Sequence, residues 1–83
     1  MTKTTKKMLN KMYNEYVGYI EDAKRGLKNG VINVDDYNGI IQHEFKQFDT
    51  MVQGLVRYGV ISRADSHTLV CAYVMYKESR IDR

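Results

Sequence analysis

The sequence predicts an all-α fold, a small bundle of three helices linked by two short joints. Three observations carry that prediction. Apolar residues recur at steps of three and four, the helical period, through long stretches of the chain. Proline is absent, so nothing interrupts a helix from within. Finally, Gly30-Val31-Ile32-Asn33-Val34-Asp35-Asp36 and Gly59-Val60-Ile61-Ser62-Arg63-Ala64-Asp65 align residue for residue. Each reads as a stop followed by a start. The glycine suits the left-handed position just past a helix end, and the Val-Ile pair is expected to fold back onto the helices it connects. Asn33 or Ser62 then offers an oxygen to the free N–H groups of the next helix. Asp36 or Asp65 adds a negative charge to that helix's first turn, where the macrodipole favours it.

The first helix is expected over about residues 4–28, with Thr4 or Thr5 as its N-cap. Leu9, Met12, Tyr13, Tyr16, Ile20, Ala23 and Leu27 form its apolar stripe. Val17 and Tyr19 flank the stripe, and Gly18 faces away from it. The second helix, about 34–58, is the most regular. Val34, Tyr37, Ile41, Glu44, Phe48, Met51, Leu55 and Tyr58 keep a strict 3,4 spacing, widened by Phe45, Val52 and Val56. Glu44 is the exception on that seam. It reads as an edge residue whose carboxylate reaches water, and the sharper alternative is a polar group that sets partner or register. The third helix, about 63–80, contains the unbroken run Leu69-Val70-Cys71-Ala72-Tyr73-Val74-Met75-Tyr76. Apolar on all sides, it is expected to be covered on several, which raises homodimerisation through this helix. A β-strand is the competing reading of the run, but no second strand candidate exists to pair with it.

The chain's 83 residues make one domain with a thin core, burying roughly 60–65% of the surface the unfolded chain exposes. One cysteine, Cys71, permits no internal disulfide. No apolar run suits a signal peptide or a membrane span, so a cytoplasmic location is expected. Charge is unevenly placed. Lys3, Lys6, Lys7 and Lys11 open the chain without an acid, whereas residues 29–56 hold Asp35, Asp36, Glu44 and Asp49 against Lys46 alone. Basic ends can meet phosphate, an acidic protein surface or water.

Chemistry finds little support. His43-Glu44-Phe45-Lys46-Gln47 starts like a zincin helix but has Gln47 where the second histidine belongs. His67 and Cys71 share a helical face, yet two ligands make no metal site. Cys71 reads as a small buried hydrophobe and His67 as a first-turn surface residue. The six glycines are isolated, and none fits a phosphate-binding loop. No catalytic residue, cofactor or metal is expected.

The leading expectation is a non-enzymatic protein-binding module, a regulator or inhibitor that occupies a partner's surface. Tyr13, Tyr19, Met75 and Tyr76 are its expected contacts, with the N-terminal lysines steering approach. Seven tyrosines against two phenylalanines and no tryptophan suit an interface, and also the boundary of a small bundle. The alternative is a nucleic-acid-binding regulator. It would use Lys3, Lys6, Lys7, Lys11, Arg63 and His67, with a helix–turn–helix-like joint at 55–73. A self-assembling structural subunit is the third class. The Lys/Asn/Tyr/Ile-rich composition is of the kind met in AT-rich phages and mobile elements.

Overall fold

The computed structural model describes residues 2–63 and 67–81. It contains α1 (Lys3–Lys28), α2 (Val34–Arg57) and α3 (His67–Ser79), in an up–down–up arrangement with extents of 42 × 21 × 16 Å. Among the described residues there is no strand, and no helix is long and apolar enough to cross a membrane.

Both joints stop their helices in one way. Gly30 and Gly59 take φ of 75° and 73°, values an L side chain adopts only with strain. Val31 N–H then donates to Gly26 O at 2.9 Å, and Gly30 N–H to Leu27 O at 3.2 Å. At the second joint Val60 donates to Leu55 O at 2.9 Å and Gly59 to Val56 O at 3.0 Å. Each pair is a Schellman motif, which satisfies carbonyls that a helix end leaves free. Asn33 caps α2 as expected, its side chain accepting from Asp36 N–H at 2.8 Å. The acid expected at the corresponding place before α3, Asp65, lies outside the described residues. For α1 the cap is Thr2, not Thr4 or Thr5: its hydroxyl accepts from Thr5 N–H at 3.1 Å, and the helix therefore starts at Lys3. The Val-Ile pairs split. Ile61 is buried and Ile32 packs against the core, while Val31 and Val60 stay in water, because the left-handed glycine points the residue after it outward.

The α1 stripe forms as the periodicity predicts, with Leu9, Tyr16, Ile20 and Ala23 buried and Met12, Tyr13 and Leu27 against them. On α2 the buried line is Tyr37, Ile41, Phe48 and Val52, flanked by Phe45, Leu55 and Val56. Met51 and Tyr58, assigned to the seam on spacing, are 53% and 83% exposed. A strict 3.5-residue repeat drifts about 20° per heptad on a straight helix, so two heptads after Tyr37 the inward position has moved from Met51 to Val52. Helix α3 inserts Ala72 and leans Leu69, Met75 and Tyr76 on the core, but leaves Val70, Cys71, Tyr73 and Val74 outside. It is covered on one side, and Cys71 is exposed rather than buried because it sits one step off the Ala72 line.

Two tyrosine hydroxyls point inward and hold α3. Tyr16 donates to Ala72 O at 2.8 Å, and Tyr37 to Ser79 O at 2.7 Å. Beside Tyr37, the Asn38 side chain donates to Ile81 O at 2.8 Å and accepts from Ile81 N–H at 3.0 Å. Rings add to the packing: Phe45 of α2 stacks on Tyr76 of α3 at 5.0 Å, and Phe48 of α2 stacks on Tyr16 of α1 at 5.4 Å between centroids.

Candidate binding groove

Because α3 packs on the Tyr13, Phe45 and Asn38 side of the α1–α2 pair, the opposite side of the same seam stays open. Two hollows line it. One, of about 80 Å³, is walled by Met12, Glu15 and Tyr19 of α1 and by Glu44, Gln47 and Met51 of α2. The next, of about 340 Å³, continues past Tyr19, Ala23 and Gly26 to Val31, Ile32 and Ile40. Tyr19 and Glu44 are common to both, so they stand at the groove's middle. A third hollow extends from Ile40 and Glu44 along α2 to Asp35 and Asp36.

Local sequence explains the lining. Tyr19 lies just off the α1 stripe, which leaves its ring 52% exposed beside the core. Small residues at Ala23 and Gly26 keep the wall low, with the Ile32 side chain 3.5 Å from where a Gly26 Cβ would stand. Acids dominate the charge. Asp22 pairs with Arg25, whereas Glu15 and Glu44 have no ion pair among the described residues. His43 and Lys46 border Met51 on the outward side of α2.

The expected contact residues are not brought together. Tyr19 stands in the groove. Tyr13 packs edge-on against Phe48 at 6.0 Å on the other side of α1, and Met75 and Tyr76 are half-buried under α3. By contrast, the up–down–up topology gathers the alternative's basic residues. The start of α1, with Lys3, Lys6, Lys7 and Lys11, shares one end of the bundle with Arg57, Arg63 and the start of α3 at His67. Within 2–12 and 50–63 no acid interrupts them.

Titration marks two buried groups, Tyr16 at the floor of the first hollow and Tyr37 beyond the groove. Burial raises the Tyr16 phenol well above its ordinary value, with Tyr13 and Tyr76 adding to the effect. Burial also raises Tyr37, assisted by the Glu21 carboxylate. Both hydroxyls are structural donors, held neutral where they meet α3. Among the described residues no three His, Cys, Asp or Glu side chains converge as metal ligands would.

No protein-family model matches the chain, and comparison with curated proteins and with solved structures finds no match either.

The spacing singled out Tyr19 and Glu44 separately. It missed Met51, Ile40 and Val31, whose shared exposure depends on which side of the seam α3 chooses.

Proposed function

We propose that this chain is a small non-enzymatic protein-binding module that regulates or inhibits a partner by occupying its surface. The observation that carries the reading is the open apolar seam between α1 and α2, with Glu44 at its middle and in no ion pair among the described residues. Apolar side chains left beside water in one continuous groove mark interaction surfaces. A tyrosine there adds large contact area at little entropic cost. Capture on the immobilised 83-residue chain tests the reading. A partner retained by the native protein should be lost with Tyr19→Ala while the helical circular dichroism stays unchanged. A chain that captures no protein yet binds polynucleotides at physiological salt would replace it.

Nucleic acid is the second reading, favoured by the basic end. The first turn of α1 carries lysines and no acid, although the helix dipole disfavours cations there. Lysines retained against that cost suit an anionic ligand. Fluorescence anisotropy with duplex DNA, single-stranded DNA and RNA at two salt concentrations tests it. Under this reading binding falls steeply with salt, and replacing Lys6, Lys7 and Arg63 by Gln flattens the slope. The outer face of α3, with Val70, Tyr73 and Val74 exposed, is too apolar for a recognition helix, so the lysines would carry such binding.

A further inference from the structure

We infer that the α1–α2 groove receives one basic amphipathic helix of a partner protein, about four turns long. This rests on the protein-binding reading and names the site and the chemistry of its occupant.

Dimensions set the length. From Met12 to Gly26 the groove follows α1 for fifteen residues, about 21 Å of helix axis. A helix lying there would complete a four-helix arrangement, with α3 and the newcomer on opposite sides of one seam. An extended segment fits poorly. Among the described residues there is no sheet edge to pair with, and a strand pressed into the groove would bury N–H and C=O groups without partners. A helix satisfies its own backbone and needs only an apolar stripe at i, i+3, i+4 and i+7. Tyr19, Ile40 and Met51 supply the matching surface at intervals along the groove.

Charge sets the sign. Glu15 and Glu44 face the hollow with no ion pair among the described residues. Covering them with apolar atoms would strand two carboxylates, which is costly. A helix that flanks its apolar stripe with Lys or Arg pairs them instead and gains specificity and approach rate. Glu44 is thus the polar group that selects the partner, in the place where its sequence neighbours would suit a plain apolar seam.

Three fluorescein-labelled peptides of about 18 residues test this against the intact 83-residue chain by anisotropy at physiological salt. One carries leucines at helical spacing flanked by lysines; another replaces the lysines by glutamates; a third scrambles the first. The lysine peptide is expected to bind in the micromolar range, with the others at least about tenfold weaker. Glu15→Lys with Glu44→Lys should reverse the preference toward the glutamate peptide. Met51→Asp, at an exposed position, should abolish binding with the helical signal intact. Equal binding of all three peptides, no binding of the lysine peptide, or indifference to these variants overturns the inference. So does an oligomer in light scattering that Met51→Asp dissociates, since a second copy would then fill the groove. Natural-partner capture separates the two levels. Capture lost with Val70→Asp but kept with Met51→Asp removes the groove and leaves the protein-binding reading standing.

Discussion

At the scale of single residues, the phenols of Tyr16 and Tyr37 do what hydrophobic pattern alone cannot. Each buries a ring in the core and delivers its proton to a carbonyl of α3. Replacing either by Phe removes one buried hydrogen bond and should lower unfolding free energy by about 1 kcal/mol. A denaturant midpoint measured by circular dichroism checks this. Their titration predicts an alkaline limit. Both pKa values lie above the unfolded value of 10.0. Their contribution is therefore complete below pH 10 and is lost as pH rises past it, when the unfolded chain releases protons that the fold retains. The midpoint should fall above pH 10, and less steeply in Tyr16→Phe. These roles were not legible in the sequence. Tyr16 and Tyr37 appeared on their stripes, but the carbonyls they meet lie 56 and 42 residues away, and local periodicity carries nothing about partners so distant.

At the scale of elements, the joints were the most legible part of the chain, since a helix stop is decided by its own few residues. Gly30 and Gly59 hold left-handed backbone, so alanine at either should cost about 1–2 kcal/mol. The helix-interior glycines behave oppositely. A Cβ at Gly18 or Gly54 would meet nothing within 4 Å, and alanine there should raise stability by about 0.5–1 kcal/mol. Thermal melts of the four variants check both signs. What spacing could not resolve was the choice between neighbours such as Met51 and Val52. Both fit a loose helical repeat, and a few tens of degrees of drift decide which is buried. That same drift places Met51 in the groove.

At the scale of the molecule, the charge map has a direction, with lysines gathered at one end and, along the open seam, Glu15 and Glu44, which have no ion pair among the described residues. The segment charges were legible from the start, but their grouping needed the topology. Self-association through α3 belongs to this scale too. Val70, Tyr73 and Val74 remain exposed on its outer face, and a stable dimer would need about 1,200 Å² or more of buried surface. If α3 carries one, light scattering shows a dimer that Val70→Asp converts to monomer. A charge at Met75 is a poor probe of that contact, because Met75 packs against the bundle's own core and its loss would disturb the fold.

Helix α3 spans thirteen residues, a length at which an isolated helix is marginal in water. Its helicity therefore depends on its berth against α1 and α2, and that berth is tightest at one end, where Asn38 grips Ile81 and Tyr37 meets Ser79. In deuterium exchange, α3 should open as its own unit while the α1–α2 hairpin stays closed. Protection should be greatest near Tyr76–Ser79 and fade toward His67. Asn38→Ala should erase that gradient, exposing Phe45 and Ala72 together each time the third helix lifts.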